Sequence, residues 1–579
     1  MSKQQQKATI HYYDIGDYLS REQKLRIIKD ATSFENLPMQ TLQPNEHGDW
    51  ISLRNEGFGA FIPLGDKDDK TNKETFFVPF YSNGLKTQRD AWCYNSNSAL
   101  LKSNIQTHID FYNEQREAYT TAKLENPKLE AKNFISYDNL KISWSDNPMT
   151  SLSSNKVFTF DETAIVRSVY RPFFKQHLFF DRILNERVYQ IPKLFPNPSL
   201  SNLVICVSAN SKDGSVLMSN CIPDLHFNGD TQCFPLYYYE ENSAVQKGLF
   251  DTQDPEQGAG FGVQGTNEGA GFGVQGIGNT EPKTQDPKPQ NKDYIRRDAI
   301  SDFILGRAQK MYGLKRGTGF GVQGTNEGAG FGVQGTNEGA GFGVQGVGNL
   351  TQNPNPHTQN PNPHTLNPNP HTLNPNPHTL TKEDIFYYVY GFLHAPSYRE
   401  MFANDLKKML PRLPLVEDVR DFWAFSKAGR QLAELHLHYE SVPPAAGVIT
   451  LVNPLTMTDT LRQATIKEME YLHYRVTKMR FPKKDQKDSI IYNNQITIDN
   501  IPPEAYEYVV NGKSAIEWVM ERYQITTHKE SGITNNPNDW ATETGNPRYI
   551  LDLLLSVINV SLQTVEIVNN LPKIDFSTQ

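Results

Sequence analysis

Apolar positions along this chain form long stretches with helical spacing and short β-branched runs, and the two patterns alternate irregularly. Over 99–122, Leu100, Leu101, Ile105, Ile109 and Tyr112 fall on one side, which predicts a long half-buried helix. The stretch 17–25 starts another, with Ser20 as N-cap and Gln23 at the third helical position. Helices are also predicted over 383–394, 397–410 and 418–439, the last with Val419, Phe422, Leu432, Leu435 and Tyr439 as its buried stripe. A final long helix over 548–569 places Ile550, Leu554, Val557, Ser561, Val565 and Val568 on one face, and Asn546-Pro547 marks its start. Strands are predicted at 8–13, 157–170, 203–209, 233–240, 447–452 and 489–498. No βαβ repeat organises them, so the expected class is mixed α+β.

The middle of the chain breaks both patterns. The unit GTNEGAGFGVQ occurs at 265–275, 324–334 and 335–345, with partial copies at 258–264 and 317–323. A second unit, NPNPHT, recurs over 353–380. The first has too few apolar residues amid glycine to bury a core, and the second alternates Asn and Pro, which blocks helix and strand alike. Both read as disordered or extended linkers over 251–292 and 317–380. GAGFGVQG imitates a glycine-rich phosphate or cofactor loop, but it lacks a preceding buried strand and a following helix. His357, His364, His371 and His378 read either as a weak metal tract or as a repeat expanded without function. Between the linkers, Ile300, Phe303, Ile304, Ala308 and Met311 predict one amphipathic helix over 293–316, docked on the main body. On that reading the linkers interrupt a folded domain.

Composition adds limits. The mean hydropathy of -0.58 is low, while aromatic residues are 11% of the chain, so folded parts coexist with parts that cannot fold. No signal-like apolar stretch opens the sequence, and no uninterrupted apolar run of spanning length appears, so no membrane role is expected. Cys93, Cys206, Cys221 and Cys233 form no CxxC pair, which fits free thiols in a reducing cytoplasm. The net charge of -8 neither supports nor excludes a polyanionic partner, because the two linker tracts hold a disproportionate share of it.

The usual catalytic signatures are missing. The sequence contains no GxxxxGK[ST], no HExxH and no zinc quartet. It contains no Asn/Asp-Pro-Pro-aromatic tetrapeptide of the kind that grips a flipped adenine; Ile501-Pro502-Pro503-Glu504 lacks both ends. Pro223-Asp224 with Glu281-Pro282-Lys283 formally resembles a nuclease pattern, but its second half lies in a linker. Asp224 with His226 reads as an acid–base pair or as a turn aspartate beside a satisfied histidine, and the latter is expected. His436 and His438 face different ways on one helix and read as packing or surface residues.

What remains is surface suited to phosphate. Residues 461–484 carry Arg462, Lys467, Arg475, Lys478, Arg480, Lys483 and Lys484 against Glu468 and Glu470, interleaved with Tyr471, Tyr474 and Phe481. Such a run is either a solvated face or a nucleic-acid contact. The candidate DNA-binding residues are Arg475, Lys478, Arg480, Lys483 and Lys484, with Lys86 and Arg89 in a polar loop closed by Trp92, and Arg171 in Tyr170-Arg171-Pro172-Phe173. For Arg171, pairing with a buried carboxylate is the competing reading.

Long ordered stretches carry a resemblance. IHYYDIGDYLSREQKL (10–25), GDWISLR (48–54), KTQRDAWCYN (86–95), VYRPFFKQHLFFD (169–181), IPDLHF (222–227), CFPLYYYE (233–240), FWAFSKAGRQLAELHLHYE (422–440) and AYEYVVNGKSAIEWVMERYQ (505–524) resemble the C-terminal region of the type I-like single-polypeptide, or type ISP, restriction–modification enzymes. So do 383–414 and 546–572. The resemblance implies sequence-specific recognition of double-stranded DNA within a system that methylates adenine and cleaves with ATP. It implies that 1–15 is the end of a methyltransferase fold, 16–150 a connecting region, and 151–250 with 293–316 and 381–579 a target-recognition domain. The family's nuclease, ATPase and methyltransferase motifs have no counterpart here. No catalytic or cofactor residues are therefore assigned; S-adenosylmethionine, ATP and Mg belong to the complete enzymes. The expected partner is a separately encoded catalytic polypeptide. An inactive remnant, or a structural protein with repeat linkers, is the alternative.

Overall fold

The computed structural model describes residues 8–16, 19–51, 53–208, 214–242, 293–316, 379–453 and 465–576. The repeats up to residue 378, Arg462 and the side chain of Lys467 lie outside them, while Thr379–Leu380, expected as the end of the second linker, form a strand with Leu380 buried. The described residues form helices and several small sheets, a mixed α and β architecture.

The contiguous apolar run predicted at 203–209 explains the layout. Strand Val204–Ser208 is buried at every position. It lies in a sheet ordered Ser82–Asn83, Thr231–Pro235, Val204–Ser208, Val216–Ser219. Side chains alternate across a strand. Val204 and Cys206 accordingly enter one hydrophobic core, and Ile205 and Val207 enter a second. The first core gathers the helices Ser98–Glu125 and Tyr549–Asn569 with a second sheet built on Ile165–Arg171 and Phe174–Phe179. The second core gathers Phe58–Phe77, Leu236, Ile300, Leu380 and the helices Lys382–Phe392 and Val419–Leu437.

Those last two helices pack closest, and glycine makes it possible. A Cβ on Gly391 would sit 2.1 Å from the Phe425 carbonyl oxygen, and one on Gly429 1.9 Å from that of Tyr387. Tyr549–Asn569 is long and apolar enough to cross a bilayer by composition alone, but most of it is buried against these neighbours.

Several local expectations hold and several fail. Ser20 and Gln23 form the predicted reciprocal cap on Arg21–Ala31. Leu101, Ile105, Ile109 and Tyr112 are buried, whereas Leu100 is exposed. The helix expected over 397–410 is broken into Pro396–Met401 and Ala403–Leu406 at Phe402, whose backbone leaves helical geometry. The run 489–498 is two strands, Ile490–Ile491 and Ile496–Asp499. Residues 293–316 are not one helix: Tyr294–Asp298 is a strand, and Ser301 caps the helix Asp302–Tyr312. Strand formation there satisfies the backbone of Tyr237–Glu241, its antiparallel partner.

That pairing sets where the repeats leave the fold. The Asn242 amide donates to the Asp293 carbonyl at 2.9 Å, so the residues flanking 243–292 are neighbours across one antiparallel pair. At the second tract, Lys315–Arg316 pairs in parallel with Thr379–Leu380. Each insertion thus begins and ends at neighbouring points. Replacing 243–292 with a short turn is expected to keep unfolding cooperative and to raise stability by at most about 2 kcal/mol, the loop-closure entropy recovered. A thermal melt that broadens or drops instead would place the tract in the core.

Candidate nucleic-acid interface

The predicted basic residues divide by burial. The helix Ile466–Tyr474 begins at Thr465, whose side chain and Glu468 cap it reciprocally. After Tyr474 the chain leaves the helix, with extended backbone at Arg475 and a bend at Thr477. Val476 and Met479 enter the first core, while Arg475, Lys478 and Arg480 face solvent. Lys483 and Lys484 follow in an exposed turn.

The backbone under this row is fixed from several sides. The Val476 amide donates to Asn538 Oδ1 at 2.9 Å, and Asn538 Nδ2 donates back to the Val476 carbonyl at 2.7 Å. The Ile525 amide reaches the Thr477 carbonyl at 3.0 Å, and Arg480 pairs both ways with Ile491. The aromatic residues are anchors here. Tyr474 accepts from Arg548 at 3.1 Å, and Phe481 lies 6.1 Å from Tyr506 with Lys487 beside both rings. Among the described residues, Arg475, Lys478, Arg480, Lys483 and Lys484 form no ion pair. A row of cations without carboxylate partners on a rigid support can neutralise phosphates without first breaking internal bonds.

Two other candidates are corrected. Arg89 is 4% exposed, and its guanidinium donates to the carbonyls of Leu184, Ser143 and Thr87 and to Ser145 Oγ, with Glu186 at 3.7 Å. Arg171 donates to Asp224 Oδ1 at 2.5 Å, lies 3.6 Å from Asp90 and covers the Tyr170 ring at 3.9 Å. Both cations hold distant segments together through partners inside the protein. Burial pushes the Asp224 carboxyl up to about 6 despite Arg171. Lys86 is half-buried, and its backbone pairs with Arg187.

The histidines resolve as a buried packing group, His436, and an exposed turn residue, His226. His436 Nδ1 lies 2.6 Å from the Tyr390 hydroxyl and Nε2 3.1 Å from Thr564 Oγ1, inside the protein. The His226 amide donates to Asp224 Oδ1 at 2.8 Å, a turn contact. Glu281 and Lys283 lie outside the described residues, as do the repeat histidines. Among the described residues, no three His, Cys, Asp or Glu side chains group as metal ligands.

Sequence reasoning missed one element beside the basic row. Thr526–Thr527 and Thr534–Asn535 form a hairpin that starts next to Ile525, the residue bonded to Thr477. Its signal was present as paired threonines around Ser531-Gly532, but each strand is too short for periodicity to register.

The model of the family described as Type ISP C-terminal specificity domain matches residues 76–553. A nuclease-deletion mutant of the Type ISP restriction-modification enzyme LlaGI, in complex with a DNA substrate mimic, is 29% identical with a TM-score of 0.66 over 98% of this chain. The ATP-dependent Type ISP restriction-modification enzyme LlaBIII bound to DNA is 29% identical with a TM-score of 0.67 over 98%. A DrdV–DNA complex, 22% identical with a TM-score of 0.66 over 97% of the chain, shares the fold. This chain spans 39% of the LlaGI chain, 28% of the LlaBIII chain and 43% of the DrdV chain. No curated protein matches it.

Proposed function

We propose that this chain, which belongs to the Type ISP C-terminal specificity domain family, reads a sequence in double-stranded DNA for a restriction–modification system of the bacterial cytoplasm. The observation that carries this reading is the row Arg475, Lys478, Arg480, Lys483 and Lys484, exposed and without ion pairs among the described residues. Phosphate contacts of this kind set the register of a protein on a duplex, and side chains at the groove then read base edges. The chain's own part is binding and positioning.

Adenine methylation and ATP-driven cleavage would be carried by catalytic domains outside these residues, which the N-terminal segment would meet. The N-terminal segment supports such a contact. Helix Arg21–Ala31 buries no residue, with Leu25 54% and Ile28 49% exposed. Phe34, Trp50 and Leu53 are exposed beside it in sequence. Asp49 with Lys408, at 3.0 Å, and the Asn55 amide on Asp405 tie this segment to the body. An apolar surface of this kind is a common protein-docking feature.

The test is selection from a randomised duplex library. The chain is expected to enrich one short motif, and adding the catalytic polypeptide is expected to methylate adenine within it. Failure to enrich any motif, with no salt-dependent duplex binding, overturns the reading.

A further inference from the structure

We propose that the hairpin Thr526–Asn535 is a base-reading element whose tip, His528, Lys529 and Glu530, recognises a G·C pair in the major groove; this rests on the DNA-binding reading above. The hairpin is narrow and rigid at its root. The Asn535 side-chain oxygen accepts from the Ser96 amide at 2.8 Å and from Gln176 at 2.9 Å, and Asn95 donates to the Thr534 carbonyl at 3.2 Å. Across the strands, Thr527 Oγ1 and Thr534 Oγ1 are 2.9 Å apart. Its other end continues from Ile525, bonded to Thr477 between the core residue Val476 and exposed Lys478. The ribbon is therefore anchored on the same backbone that carries the basic row.

The tip is built to present side chains. The His528 amide donates to the Ile533 carbonyl and the Gly532 amide to the His528 carbonyl, both at 2.8 Å, and Gly532 takes a φ of 67°, which favours glycine. This closes a turn with Lys529 and Glu530 at its apex, both exposed. An open cleft of about 320 Å³, lined by Trp92, Leu100, Asn104, Thr107, Leu140 and Ile533, runs along one flank.

The imidazole is fixed as well. The Ser531 amide donates to His528 Nδ1 at 3.3 Å, and Ser531 Oγ lies 2.9 Å from the same nitrogen while accepting from the Ile533 amide. Nδ1 therefore serves as the acceptor, and Nε2 carries the proton. The tip presents a fixed N–H donor, a flexible ammonium and a carboxylate. Among the described residues, neither Lys529 nor Glu530 forms an ion pair.

In chain order the tip offers donor, donor, acceptor, which complements the acceptor, acceptor, donor order of G·C and not the acceptor, donor, acceptor order of A·T. Guanine shows two acceptors, N7 and O6, to the major groove, and its cytosine shows the N4 donor. His528 and Lys529 supply donors, and Glu530 supplies the acceptor. A carboxylate at the apex is repelled by phosphate, so the tip is unlike the basic row and unsuited to the backbone. The major groove admits a two-stranded ribbon.

The experiment is library selection with the full chain and with the variants His528→Ala, Lys529→Ala and Glu530→Ala, alongside duplex binding across a salt series. Wild type is expected to require a G·C pair at one position of its motif. The His528 and Glu530 variants should lose discrimination there by on the order of ten-fold or more, with melting temperature and salt slope unchanged. Selection of the same motif with the same stringency by all three variants overturns the proposal. So does uniform weakening across sequences with a shallower salt slope for His528→Ala, which would make the tip a phosphate contact. A wild-type chain that binds duplex and enriches no motif overturns sequence reading itself, and the hairpin's role with it.

Discussion

Replacing Lys478, Arg480, Lys483 and Lys484 together with alanine is expected to weaken duplex binding at roughly 0.1 M salt, relative to 1 M, by between about three and four orders of magnitude. Each cation that neutralises a phosphate contributes about 0.9 to the slope of log affinity against log salt. Four such contacts flatten the slope by about 3.6, which sets the loss at that salt concentration. The loss should be the same for cognate and unrelated duplexes, because phosphates are common to both. Stability should barely change. The four side chains are exposed and form no ion pairs among the described residues, and surface substitutions of this kind stay within about 0.5 kcal/mol. An unchanged salt slope would make the row an ordinary solvated face and remove the observation on which the function rests.

The row was legible in the sequence because exposure there follows a local rule. Val476 and Met479 interrupt the charges, and burying them turns Lys478 between them, with Arg475 and Arg480 beside them, outward. The long elements were legible for the same reason. The stripe of Val419–Leu437 and the unbroken run of Val204–Ser208 each report their surroundings through local spacing. The failures are non-local. Tyr294–Asp298 carries charges and reads as part of a helix until Tyr237–Glu241 pairs with it across the repeat tract. Gly391 and Gly429 look like weak points within helices, and only the approach of the two helices explains them. Arg89 sits in a polar loop and Arg171 among aromatic residues along the chain, but their partners Glu186 and Asp224 lie far away in sequence. A cation alone does not declare whether its counter-ion is a phosphate or a carboxylate.

Substituting Arg171 with alanine separates those two roles. Arg171 bonds Asp224 at 2.5 Å and faces Asp90 at 3.6 Å, with the Tyr170 hydroxyl donating to Asp90 at 2.9 Å and that of Tyr94 to Asp224 at 3.3 Å. Removing the guanidinium leaves two carboxylates facing each other, one of them buried. Breaking a buried pair from one side costs about 3–5 kcal/mol. The cost should depend on pH. Burial raises Asp224 to about 6 while Arg171 pulls it down. Without Arg171 the folded-state value rises further above that of an unfolded carboxylate, so Asp224 takes up a proton. For a carboxyl raised on folding, the associated stability is present in acid and is lost as pH rises through the folded value. The deficit of the variant against wild type should therefore be largest near about pH 8 and smaller near about pH 5, as measured by urea denaturation. The salt slope of duplex binding should match wild type throughout, because Arg171 is spent on carboxylates. A variant of normal stability whose slope falls by about 0.9 would instead return Arg171 to the DNA surface.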